Sequence, residues 1–196
     1  MHRRFATNIA KSGDCLRNHF LLAMPQLSEG IFSQSITYIC EHGEGGAMDI
    51  VINRPLDLSV SAIFEHLRIS TQRDFSHLQV MAGGPVDMDH GFVLHRRCDR
   101  TWKASMKVTP EITLTTSRDI LSAIATDDGP SDHLIALGFA GWAAGQLEQE
   151  LAENSWITLP GDSEVIFSTA CDRRLSTAAA HLGIDMNLIS RQAGHA

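Results

Sequence analysis

The sequence predicts a single α+β domain built on a mixed sheet that is bent or partly closed into a barrel, with helices flanking it. Three observations carry this. The chain has 196 residues, of which 43% are hydrophobic, enough to pack one core without disulfide or metal staples. Short runs patterned as strands recur along the chain, bounded by glycine and proline. Strands dominate the first part and helical periodicities are interspersed later, and so many short strands must hide their edges, which a bent sheet does.

Residues 1–17 are polar and aperiodic and read as an N-terminal arm, with the domain spanning 18–196. His19 to Met24 is an apolar run stopped by Pro25, a buried strand. Gln34 to Cys40 alternates and is rich in β-branched and aromatic residues; Glu41 to Gly46 is its turn, and Ala47 to Asn53 completes a hairpin ended by Arg54-Pro55. Val60, Ile63, Phe64 and Leu67 share one helix face, with Ser59 as N-cap. Leu78 to Ala82 and Gly91 to His95 are strands, and 105–108 and 111–115 form a pair broken at Pro110. Thr116-Ser117-Arg118-Asp119 starts a helix with a Ser/Thr cap. His133 to Phe139 is a strand, followed by a glycine-bearing turn and a helix through Leu147 and Leu151. Trp156 to Leu159 and Val165 to Phe167 read as short strands; Leu175, Ala179 and Leu182 mark a last helix stopped by Gly183.

The formal charge is −7, which disfavours a large phosphate-binding surface, and the basic residues are scattered. No apolar run approaches the ~18 residues of a membrane helix, and the first ten residues lack the apolar core of a signal peptide. Cys15, Cys40, Cys98 and Cys171 are widely spaced without a CxxC pair, which points to reduced thiols in a cytoplasmic protein. Ten histidines form no HExxH pattern, so neither a metal nor a cofactor is expected. No GxSxG elbow occurs, and Ser, His and Asp are too dispersed to pair by sequence. The helices are separated by strands, which leaves no helix-turn-helix to read DNA.

Four segments could carry chemistry. Gly138 to Gly145, between a strand and a helix, could present backbone N–H groups to an anion; its spacing is neither a dinucleotide fingerprint nor a P-loop, and close packing under Trp142 is the simpler reading. Gly83-Gly84-Pro85 follows a strand and could line a pocket or merely turn the chain. Asn53-Arg54-Pro55 could clamp a carboxylate or phosphate, or Arg54 could form a surface salt bridge or cap a carbonyl. Cys40 and His42 project to one strand face but ~7 Å apart, so Cys40 reads as core. The candidate ligand or partner site is therefore Asn53, Arg54, Gly83, Gly84, Gly141 and Trp142, with Arg54, Gly84 and Trp142 converging at one end of the sheet.

Taken together, these segments resemble the YqgE/AlgH family of bacterial proteins. The resemblance runs from His19-Phe20-Leu21-Leu22-Ala23-Met24-Pro25 through Val51-Ile52-Asn53-Arg54-Pro55, Gly83-Gly84-Pro85-Val86, Gly91-Phe92-Val93-Leu94-His95 and Gly138-Phe139-Ala140-Gly141-Trp142. It ends at Ala193-Gly194-His195-Ala196. It implies a compact α+β domain with a bent, partly barrel-like sheet. The family is often labelled a transcriptional regulator without a settled activity, so no catalytic residue carries over. The chain departs from it at Asp49, where glycine is usual, at His90, where arginine is usual, at Leu175, where tryptophan is common, and at Ala170, where a nearby proline is. If the usual arginine holds an anion, His90 holds it more weakly and in a pH-dependent way. Function is expected to be regulation or interaction through an unknown protein or small anionic ligand, with oligomeric state open. An enzyme acting on an anionic small molecule is the second reading. A DNA-binding regulator is the third, and the acidic charge counts against it.

Overall fold

A computed structural model describes residues 15–184; the arm expected over 1–17 falls mostly outside the described residues, as does the Ala193-Gly194-His195-Ala196 motif. Ten strands are β1 (His19–Ala23), β2 (Ile36–Gly43), β3 (Gly46–Val51), β4 (Pro55–Ser59), β5 (Gln79–Ala82), β6 (Val86–Arg96), β7 (Ser105–Lys107), β8 (Ile112–Thr115), β9 (His133–Trp142) and β10 (Trp156–Pro160). Among the described residues five α-helices are α1 (Val60–His66), α2 (Asp119–Ala125), α3 (Gln146–Ala152), α4 (Ser163–Phe167) and α5 (Arg174–His181). The strands hydrogen-bond in the order β10-β1-β2-β3-β9-β6-β8-β7, and a β4–β5 pair branches off β9. The sheet is mixed, because β5 runs parallel to β9 while the other pairings are antiparallel. It curls strongly into a half-barrel.

The curl creates three cores. The inner face carries Phe20, Leu22, Ile36, Tyr38, Ile50, Phe92, Leu94, Leu114 and Leu134 and is closed by Val165 and Ile166 of α4 and Ala178 and Ala179 of α5. On the outer face, α1 and α2 cover Val80, Val93 and Ile135 through Phe64, Ile120 and Ile124. A second outer core under α3 holds Leu21, Ile39, Ala140, Trp142, Leu147 and Trp156, together with Leu16 from the chain preceding β1.

β9 takes part in all three. Leu134 and Ala136 face the inner core and Ile135 the α1/α2 core, as period-two alternation demands. Gly138 then adopts φ +72° and shifts the alternation by one. Beyond it Phe139 faces inward, while Ala140 and Trp142 face the α3 core. The partner strand answers with a bulge: Val86 pairs with Phe139 and Gly91 with Leu137, leaving Asp87 to His90 looped out opposite Gly138. The glycine turn expected after Phe139 is therefore strand as far as Trp142, and Gly145, at φ +76°, makes the real turn into α3.

Other expectations are corrected in the same way. Val165 to Phe167 is helix, because Asp162 caps it by accepting the Glu164 N–H at 2.8 Å, and both Val165 and Ile166 are buried. The Thr116–Asp119 capping box does not form. Arg118 occupies the cap position, while Ser117 donates to Asp119 at 2.5 Å and accepts the Ala104 N–H at 3.1 Å, tying the loop before β7 to α2. Pro55 opens β4 instead of ending β3. The hairpin turn shrinks to Glu44-Gly45, since Gly43 pairs with Gly46. A bulge between Ile39 and Glu41 also parts Cys40 from His42: the thiol is buried inside, whereas the imidazole reaches Glu148 of α3 at 2.9 Å. The Ser59 cap is present, its Oγ accepting the Ala62 N–H at 3.2 Å. Gly183 ends α5 as expected, with the Gly183 and Ile184 N–H groups returning to Ala180 and Ala179.

Candidate functional site

The residues singled out in the sequence hold strands together. Asn53 accepts the Ile36 N–H at 3.0 Å and donates to the Gln34 carbonyl at 3.0 Å, bridging the chain at the start of β2. Gly83 and Gly84 let the chain after β5 press on β9. A Cβ at Gly84 would lie 2.0 Å from the Phe139 carbonyl carbon, and one at Gly83 2.2 Å from the Gly138 oxygen. Gly141 and Trp142 continue along β9 opposite Met48 and Ala47. Trp142 is buried and shares an acceptor with Trp156: both indole N–H groups donate to one Glu150 oxygen, at 2.9 and 2.8 Å.

Arg54 lies next to these glycines through its backbone, its carbonyl accepting the Ala82 N–H. Its side chain points elsewhere, donating from Nε to the Ile31 carbonyl at 3.3 Å. Phe32, the next residue, stacks toward Trp142 at 6.2 Å between centroids. The structure thus brings the glycines against β9 and leaves Arg54 and Trp142 touching neighbouring residues of one 3-10 turn. The Arg54 charge also acts on Cys171, whose thiol is pushed up by burial and pulled back by Arg174 and Arg54.

A concavity suited to a small molecule lies on the outer face between α1 and α2. It encloses about 650 Å³, within the range of small-molecule sites. Leu58, Ile63, Leu67, Val93, Leu121, Ile135 and Leu137 make its floor and walls. Its rim is polar: His66 at the end of α1, Asp89 and His90 from the β6 bulge, and Thr116, Ser117 and Arg118 ahead of α2. Arg118 is held in place by donating to the Leu67 carbonyl. Met88, 60% exposed, overhangs the groove. The bulge stands there because of the glycines, since a Cβ at Gly138 would meet the Gly84 oxygen at 2.5 Å and the Met88 Cα at 3.3 Å. Sequence reasoning missed this groove. Its only signal was the polar insert Asp87-Met88-Asp89-His90 before an apolar run.

Asp49 is the most unusual titratable group. It is fully buried on β3; Thr37 donates to one carboxyl oxygen and the other has no partner. Burial pushes its pKa well up, and the nearby Glu150 charge adds to this against the Thr37 hydrogen bond. Among the described residues no cluster of three or more His, Cys, Asp or Glu side chains could hold a metal. No described helix is long and apolar enough to cross a membrane.

Comparison with known proteins agrees with this architecture. A family model described as AlgH-like matches residues 20–187. A UPF0301 protein of Saccharophagus degradans is 48% identical over 195 residues, covering 100% of this chain and 96% of its own. Another, from Thioalkalivibrio sulfidiphilus, is 51% identical over 179 residues, covering 91% and 96%. The solution structure of the AlgH protein from Pseudomonas aeruginosa superposes with a TM-score of 0.76 at 41% identity over the whole of both chains. A Corynebacterium diphtheriae protein shares the fold alone, with a TM-score of 0.73 at 17% identity over 97% and 99% of the two chains. With its model match and its relatives each covering nearly the whole chain, this protein belongs to the AlgH-like family.

Proposed function

We propose that this protein is a regulatory or interaction protein that binds a small amphipathic carboxylate in the groove between α1 and α2. The observation that carries the reading is the pairing of an apolar floor with a rim bearing Arg118, His66 and His90. An apolar body fills the groove and an acidic head meets the guanidinium, which is fixed by its bond to the Leu67 carbonyl. Met88, flexible and exposed on the bulge, adapts to the body of the ligand. Gly83 and Gly84 support the site from behind by letting the chain after β5 press on β9 beside the β6 bulge.

Octanoate is the probe. Methyl signals of Ile63, Met88 and Leu121 should shift on titration, and Arg118→Ala should weaken binding roughly tenfold, the worth of one charge-assisted hydrogen bond. Octylamine should bind less tightly than octanoate. Shifts confined to another surface, or equal binding of the amine, would overturn the reading.

A further inference from the structure

On the outer face of β6, β8 and β7 the register assembles a row of polar side chains that sequence spacing could not foresee. Ser105 pairs across the sheet with Thr115, which itself pairs with Val93, and His95 pairs with Thr113. Thr115 therefore lies between Ser105 and His95 on one face, while Met106 and Leu114 turn inward. The Ser105 and Thr115 hydroxyl oxygens are 2.8 Å apart, and Thr115 Oγ1 is 3.0 Å from His95 Nε2.

One carbonyl sets the direction of this chain. His95 Nδ1 lies 2.9 Å from the Arg96 carbonyl oxygen, which can only accept, so Nδ1 carries the proton and Nε2 is the acceptor. Thr115 must then donate to Nε2, and its oxygen is left to accept from Ser105, whose one proton is shared with the Trp102 carbonyl at 3.1 Å. Burial lowers the imidazole pKa, against the bond to the Arg96 carbonyl, and His133 across the strand adds to the lowering, which favours the neutral ring with a lone pair on Nε2. Thr115 and His95 are buried while Ser105 is exposed, so the chain runs from an interior base to a surface hydroxyl.

Ser105 opens into a cavity of about 770 Å³ whose lining includes Arg96, Arg97, Arg100 and Lys107. Arg96 is engaged with Asp132 and Glu164, and Arg100 with Asp128. Among the described residues Arg97 and Lys107 have no carboxylate partner within 4 Å. Asp99 and Glu111 are the acids of the lining, so the cavity is not cationic as a whole and the groups open to an anion are Arg97 and Lys107.

The geometry points to Ser105 as a nucleophile that accepts the acyl group of a small anionic ester, with Thr115 as proton relay and His95 as base. Ser105 Oγ forms a bond to the acyl carbon, and the ester C–O bond breaks with its electron pair leaving on the alcohol oxygen. The Ser105 proton passes to Thr115 as the Thr115 proton passes to His95 Nε2. His95 then loses its proton, to the alcohol released or to solvent where that oxygen leaves as 4-nitrophenolate. Water attacks the acyl-serine, one of its protons passing to His95 and back through Thr115 to the departing serine oxygen while the other stays with the acid released. This site is separate from the α1/α2 groove and stands or falls without it.

The test uses the full chain and mono-4-nitrophenyl succinate. Expected are release of 4-nitrophenolate and, after acid quench, a succinyl group on the peptide containing Ser105. Ser105→Ala should abolish both. Thr115→Val keeps the side-chain shape but removes the relay and should slow release about a hundredfold, and Thr115→Ser should restore it, which a merely structural role for Thr115 would not predict. The neutral 4-nitrophenyl pentanoate should react at least roughly tenfold more slowly, as one lost charge-assisted contact implies. Label on another residue, unchanged release by Ser105→Ala, or wild-type rates in a folded Thr115→Val protein would overturn the proposal; equal rates for the two esters would overturn its anionic substrate class.

Discussion

Burial disfavours the charged form of the Asp49 carboxyl group and pushes its pKa well up. Its folded pKa lies above the unfolded value, so the folded state binds the proton more tightly. The stability this contributes is full below the unfolded pKa, near ~3.9, and is lost as pH rises toward the folded pKa. Asp49→Asn keeps an acceptor for Thr37 and has no charge to bury. Urea unfolding should therefore show the variant gaining on the wild type between pH 5 and pH 8. An identical difference at both pH values would show that the Asp49 pKa is not raised. The residue stood out in the sequence as a departure from glycine, yet its burial was not legible there, since an acidic residue inside a strand of alternating pattern reads equally well as solvent-facing. Trp142 was legible as a packing residue, but the Glu150 carboxylate that it shares with Trp156 lies on a helix whose face no strand pattern reveals.

At the level of elements, the close passage of Gly83-Gly84 over β9 dominates. Gly84→Ala would drive a methyl group to 2.0 Å from the Phe139 backbone, which cannot retreat because β9 is bonded on both sides. A loss of roughly 4 kcal/mol or more is expected, seen as failure to fold or a collapse of the denaturation midpoint. Gly91→Ala is the control, since nothing lies within 4 Å of a Cβ there; its stability should stay within ~0.5 kcal/mol of wild type. Equal effects of the two substitutions would contradict the packing described. Strands paired without a bulge, such as β1 and β8, were readable from sequence. Those with a bulge were misjudged in extent, because an extra residue shifts the period and looks like an ending: β6 runs from Val86 instead of Gly91, and β9 to Trp142 instead of Phe139. Val165 and Ile166 were mistaken for strand because two adjacent apolar residues carry no period, and the cap at Asp162 is the only local clue to helix.

Across the whole molecule, the class of fold followed from the many short strands, but which helix covers which face did not, because pairing between distant strands sets it. The same holds for the sites. The α1/α2 groove joins residues from Leu58 to Leu137, and the Ser105–Thr115–His95 row exists only through the β6–β8–β7 register. Spacing along the chain carries neither. The position of β9 in three pairings, with β3, β5 and β6, has a consequence for how the molecule opens. No part of the sheet can detach beside β9 without exposing one of the cores it lines, so its central amides should exchange with solvent deuterium only when the entire chain unfolds. The β7 amides, at a three-residue edge, should exchange by local fraying orders of magnitude sooner. The chain would then behave as one cooperative unit whose last protected segment is the strand that changes face at Gly138.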